Sequence, residues 1–413
     1  MKHLYIHIPF CHRRCAYCDF NTYANMDDRM AAYVDALVAE LGSRGEELGA
    51  GSRVAIPYTL NPELSTLHTL NREALMPTVF LGGGTPTMLP PELMEQVLRA
   101  ADTIVPLNNA EVTVEANPGT VLGRDYLRRL RDMGVNRISM GVQSLHNPTL
   151  KVLGRIHTAE EARQSFADAQ QAGFKRINLD FIFGLPGQDV EQWGNTLDEI
   201  VTWGAEHFSL YSLILEESTP LYAQVTAGRV SVPDDDATGE MYEMAMARFA
   251  DAGYRQYEIS NWAKSQGSGL RGQESEPLVP EGACHHNLAY WLNADYLAAG
   301  AGAHGHVFPR RYFDILNIDD YIAASRRGEL PTAEVTELTA HDLQVETMFM
   351  GLRLNIGVSY AHFRERCGVE MADVFGPTLD ELAASGLLVR DNAGVRLTER
   401  GRMLGNQVFV KFV

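Results

Sequence analysis

From residue 3 to about residue 215, short apolar runs alternate with amphipathic helical stretches, and this alternation leaves few architectures open. Strands are predicted at 4–8 (LYIHI), 78–82 (TVFLG), 111–116 (EVTVEA), 137–142 (RISMGV), 176–184 (RINLDFIFG) and 208–215 (FSLYSLIL). Between them, apolar residues recur at helical spacing over 28–44, 91–104, 124–134 and 159–173. Six strands, each followed by a helical segment, call for a parallel sheet with outer helices. The expected fold class is therefore α/β, a partial, six-fold strand–helix barrel of the TIM type. The 413 residues suffice for two or three domains. The net charge of −18 argues against nucleic acid as a partner, because phosphate backbones repel an acidic chain. No apolar run approaches the roughly 18 residues of a spanning helix. The N-terminus lacks a signal-peptide pattern, so a cytoplasmic protein is expected.

The unusual residues gather at one end of these strands. Cys11, Cys15 and Cys18 follow the first strand, and GGGTP (82–86) follows the second. Glu115 ends the third, Gln143 follows the fourth, and Asp180 lies within the fifth, ahead of GLPGQ. Parallel sheets and barrels place their chemistry at the carboxyl ends of strands. One site is expected there.

Beyond residue 215 come an acidic helix at 234–252, the segment YEISNWA (257–263) and a Gly/Ser/Glu/Pro-rich loop expected to be flexible over 264–283. From about 335 the pattern changes to helices with one hairpin-like wing at 387–398, a small winged-helix-like module with nearly balanced charge. The expected organisation is a barrel at 1–215, a barrel extension at 216–335 and the C-terminal module at 336–413.

Five cysteines are too few for a disulfide framework in a chain of this length, and three of them lie within eight residues. Spacings of three and two residues let one loop hold three corners of a [4Fe–4S] cubane, leaving the fourth iron free to bind an exchangeable ligand. From spacing alone, a zinc site finished by a distant ligand such as His12 or Cys284 is the alternative.

The flanking residues, YIHIPFCHRRCAYC with Tyr17 before the third cysteine, resemble the signature of the radical S-adenosylmethionine (SAM) superfamily. The resemblance implies a [4Fe–4S] cluster on Cys11, Cys15 and Cys18, with SAM chelating the open iron. It also implies SAM contacts from Tyr5, from Gly82, Gly83, Gly84 and Thr85 of the glycine loop, and from Glu115, Gln143, Arg155 and Asp180. Chemically, Arg155 can pair with a carboxylate, and the two acids can accept from hydroxyl or amino groups.

Within the superfamily, the chain resembles the group that holds oxygen-independent coproporphyrinogen III oxidases and HemW-type haem chaperones. Phe20 stands where the oxidase pattern has a fourth cysteine, and the ten residues ahead of Cys11 leave no room for the oxidase extension. CHHNLAYW (284–291) looks like the haem-binding motif of the chaperones, with His286, Asn287, Tyr290 and Trp291 as its members. A neutral imidazole ligates haem iron and aromatic rings cover a macrocycle; Cys284 is an alternative soft ligand. The resemblance implies haem as cargo and a haem-accepting partner protein. A homodimer and transient contact with membrane haem proteins are both compatible with the sequence.

Overall fold

The structure, a computed structural model, describes residues 1–47, 75–119, 123–265 and 279–413. Most of the loop expected at 264–283 lies outside the described residues. Strands β1 (His3–Ile8), β2 (Thr78–Gly83), β3 (Glu111–Ala116), β4 (Arg137–Gln143), β5 (Arg176–Phe183) and β6 (His207–Ser212) pair in chain order, every neighbour parallel. The sixth strand stops at Ser212, short of the expected 215. Helices α1 (Met30–Glu47), α2 (Pro91–Asp102), α3 (Gly123–Asp132), α4 (Ala159–Gln171), α5 (Val190–Trp203) and α6 (Asp235–Asp251) provide the crossovers and the outer layer. A capping box between Thr158 and Glu161 fixes where α4 starts.

Three further strands and a short helix complete the unit: β7 (Tyr254–Glu258), β8 (Asn261–Lys264), α7 (His285–Trp291) and β9 (Leu297–Ala299). β8 and β7 extend the sheet antiparallel beyond β6, while β9 lies parallel to β1 on its free side, giving nine strands.

Alternation along the strands separates two faces. Ile6, Leu81, Val114, Met140, Leu179 and Phe208 are wholly buried in the apolar core beneath the helices. Their neighbours Tyr5, Glu115, Ser139, Asn178, Asp180 and His207 turn the other way. Parallel strands covered on both faces ordinarily read as continuous apolar runs, so a polar second face marks a lumen that does more than pack.

The sheet is rolled rather than open. One seven-residue helix, α7, bonds both Thr78 of β2 and Tyr257 of β7, through His286 Nδ1 at 2.7 Å and Asn287 Nδ2 at 3.1 Å. Those strands stand six places apart in the sheet. On a flat sheet that span is about 29 Å, whereas seven helical residues reach only about 10 Å.

Strands β10 (His304–Val307), β11 (Arg310–Asp314) and β12 (Thr332–Glu337) form a small antiparallel sheet beside the barrel, and α8 (Ile318–Arg326), between β11 and β12 in the chain, packs on α1. A buried network pins this segment to α1. Arg44 donates to Glu40 at 2.6 Å and to Asp314 at 2.5 Å, and Glu40 accepts from Gly300 N at 3.0 Å and from the Tyr321 hydroxyl at 2.5 Å.

The C-terminal module holds α9 (Ala340–Gly351), β13 (Val358–Ser359), α10 (Tyr360–Cys367), α11 (Met371–Ala384), β14 (Leu388–Arg390) and β15 (Gly394–Leu397). Its three strands pair antiparallel in the order β13–β15–β14, and it has its own core of Met348, Phe363, Phe375, Leu379 and Val408. The helices and the wing match the sequence expectation. Among the described residues no helix is long and apolar enough to cross a membrane.

Candidate cofactor site at the carboxyl ends of the strands

The cysteine loop leaves β1 and is stitched to the glycine loop by backbone bonds. Gly84 N donates to Ile8 O at 2.9 Å and Thr85 N to Phe10 O at 2.8 Å. This closeness requires glycine. A Cβ on Gly84 would lie 2.6 Å from Phe10 O, and one on Gly83, whose φ is +102°, would lie 2.2 Å from the His7 ring. Cys11, Cys15 and Cys18 are all half-buried and free.

Arg155 ties the cysteine loop to the strand ends. Its guanidinium donates to Asn117 Oδ1 at 2.6 Å, to Gly141 O at 2.5 Å and to Cys15 Sγ at 3.5 Å, while its buried Nε has no partner among the described residues. Asn117 in turn donates to Thr85 Oγ1 at 2.6 Å, and that hydroxyl lies 3.7 Å from Cys11 Sγ. Gln143 closes β4 with φ +67°, a left-handed conformation uncommon for a non-glycine residue. There the register against β5 shifts.

Within the lumen, Glu115 Oε2 accepts from Gly83 N at 3.0 Å, and Asp180 accepts from Ser139 Oγ at 3.2 Å and Asn178 Nδ2 at 2.8 Å. Neither acid is paired with a cation within bonding distance among the described residues. Burial, and then the nearby Asp180, push the Glu115 carboxyl up to about 8. Burial raises Asp180 as well. The Tyr5 hydroxyl bonds His7 Nδ1 at 2.9 Å, and His7 Nε2 bonds Asn21 O at 2.8 Å in the cysteine loop.

Three half-buried thiols on one loop beside the Arg155 guanidinium, with two buried acids on β3 and β5 that have no bonded cation among the described residues, suit an iron–sulfur cluster with a cationic ligand on its open iron. Burial pushes the Cys11 thiol up to about 11, so metal binding there displaces a proton. Among the described residues no three His, Cys, Asp or Glu side chains converge on a point fit for a single metal ion.

The glycine loop, Glu115, Gln143 and Arg155 stand at the same end of the barrel as the cysteines, whereas Tyr5 and Asp180 lie midway along β1 and β5, facing the lumen. His286, Asn287, Tyr290 and Trp291 sit on α7 at the opposite, amino-terminal end. His286 is buried, with Nδ1 bonded to Thr78 Oγ1 at 2.7 Å and Nε2 to the Tyr290 hydroxyl at 2.9 Å, and its ring stacks on Phe80 at 5.1 Å. Asn117 and His7 are absent from the sequence-based set. EANPG reads as a turn, and His7 looks like one more residue of an apolar strand.

Residues 5–200 match the Radical SAM superfamily, and residues 338–404 match the HemN C-terminal domain. Across 100% of this chain and 99% of its relative, the sequence is 35% identical to a Bacillus subtilis protein named heme chaperone HemW. An Escherichia coli protein of the same name is 32% identical over 99% of this chain and 97% of its own length. A mouse mitochondrial protein, radical S-adenosyl methionine domain-containing protein 1, is 34% identical over 96% of this chain and 84% of its own. The solved structure of Escherichia coli coproporphyrinogen III oxidase (HemN) superposes with a TM-score of 0.76 at 22% identity, covering 99% of this chain and 89% of that one, which shows a shared fold. The chain belongs to the HemW family of the radical SAM superfamily.

Proposed function

We propose that this chain is a cytoplasmic haem chaperone, which binds haem together with a [4Fe–4S] cluster and SAM and hands the haem to an acceptor protein. The full-length similarity to relatives named heme chaperone HemW carries this proposal. The HNLAYW helix, whose Tyr290 and Trp291 offer aromatic area for a macrocycle, supports it. Phe20 is 67% exposed just after the cysteines and gives no fourth thiol, which disfavours the oxidase alternative. Cys11, Cys15 and Cys18 hold the cluster. When bound, cluster and SAM supply reductive cleavage of the sulfonium. Reconstituted protein given SAM and coproporphyrinogen III should leave the porphyrinogen unchanged. Oxidative decarboxylation of it would replace the chaperone by an oxidase.

Arg155, Glu115 and Asp180 hold SAM in this proposal. Arg155→Ala and Asp180→Ala should each weaken SAM binding by about ten- to a hundred-fold, the loss of one charge-assisted hydrogen bond of roughly 1.5–3 kcal/mol. Calorimetry on the reconstituted variants checks this; wild-type affinity in both would place SAM elsewhere.

The Glu115 carboxyl gives a pH dependence. With its value raised to about 8, the group is neutral at lower pH, and a cationic ligand must expel its proton to gain the carboxylate. SAM affinity should therefore climb as pH rises toward about 8, by up to about tenfold per unit, and then level off. Glu115→Gln should flatten this profile. A profile with the same slope in the variant would assign the proton to another group.

A further inference from the structure

Haem needs an iron ligand, and in this fold both ring nitrogens of His286 are already engaged, with Thr78 and Tyr290. His306 on β10 is different. Its backbone exchanges two hydrogen bonds with Tyr296, at 2.7 and 3.0 Å. Its ring lies 6.3 Å from that of Tyr296, which lies 4.7 Å from that of Tyr290. His306 is thus two rings away from the HNLAYW helix. It is 1% exposed, and its Nε2 is buried with no hydrogen-bond partner among the described residues.

Buried polar atoms are nearly always bonded, and an orphan calls for a missing partner. Two more orphans lie on the elements around it, Glu346 Oε2 on α9 and Arg366 Nε on α10. Two guanidiniums border the same seam. Arg311, the cross-strand partner of His306, holds Glu346 at 2.9 Å, and Arg366 holds Asp295 at 2.7 Å. Burial, then Arg311 and Arg366, push the His306 imidazole down to about 4, so it is neutral and able to ligate a metal.

We propose that His306 is an axial ligand of bound haem iron, with the macrocycle against Tyr290 and Tyr296 and its propionates on Arg311 and Arg366, in the seam between β10–β11 and the C-terminal module. The proposal rests on the haem-binding function above. It accounts for the orphaned nitrogen and lets the propionates replace two carboxylates already seated on arginines.

The test is a titration of ferric haem into the full-length wild type, His306→Gln, His306→Met and His286→Gln, read by absorbance and electron paramagnetic resonance. His306→Gln should lose the histidine-ligated spectrum, bind about tenfold or more weakly, and recover the spectrum when free imidazole is added. His306→Met should shift the spectrum toward thioether ligation. His286→Gln should bind more weakly yet keep the histidine signature. A wild-type spectrum in either His306 variant, or loss of the signature in His286→Gln alone, overturns the assignment while haem binding stands. Absence of saturable binding in the wild type overturns both.

Discussion

Replacing Cys11, Cys15 or Cys18 singly by Ala is expected to drop iron from about four per chain to less than one after anaerobic reconstitution. Two thiolates on a loop do not hold a cubane against loss of iron. No other thiol is at hand to substitute. Cys284 lies buried at the far end of the barrel, donating to Glu111 Oε1 at 3.4 Å, and Cys367 lies in the C-terminal module beside Thr347. The fold should survive, because the three side chains are only half-buried and contribute no core packing. Iron and sulfide analysis, with circular dichroism as the control for folding, decides the matter. A variant that keeps about four irons would remove its cysteine from the ligand set.

Arg44→Met is expected to destabilise the protein by about 3–5 kcal/mol, because it leaves the buried Glu40 and Asp314 side chains without the guanidinium that bonds both. The Arg44 and Glu40 side chains are 5% and 0% exposed, and Asp314 is likewise 0% exposed. The guanidinium also lies 4.2 Å from the centre of the Tyr312 ring, so packing is lost along with charge. The network clamps Gly300 and Asp314, the two ends of the segment that carries His304 and His306, onto α1. Urea unfolding of the variant should show a clearly lower midpoint. An unchanged midpoint would mean that the Arg44 network adds nothing net to the stability of the fold.

The parallel core was legible because the strand residues beneath the helices are uniformly apolar, as at Leu4, Ile6 and Ile8. The strand-end site was legible because cysteines, a triple glycine and isolated acids interrupt those runs. The rest is non-local. β9 is three residues long and joins β1 from nearly three hundred residues away, pairing Tyr5 with Ala298, which no local pattern announces. The helix Asn147–Val152 shows no helical signature in the sequence, because it is six residues long and Pro148 sits inside it, at a first-turn position that helices tolerate. HNLAYW shows residue types suited to haem, but only the fold reveals that α7 plugs the amino-terminal end of the barrel and that Thr78 and Tyr290 occupy both His286 nitrogens. Asn117 carries no sequence signal of its own, yet it links Arg155 to Thr85 and so couples three strand ends.

The central claim is that this chain carries haem, and a titration of haem into the full-length wild-type protein, followed by absorbance, tests it most directly. The expected result is a saturable Soret band that reaches its plateau at a fixed ratio of haem to chain. A featureless, non-saturating rise, like that of free haem in the same buffer, would contradict it.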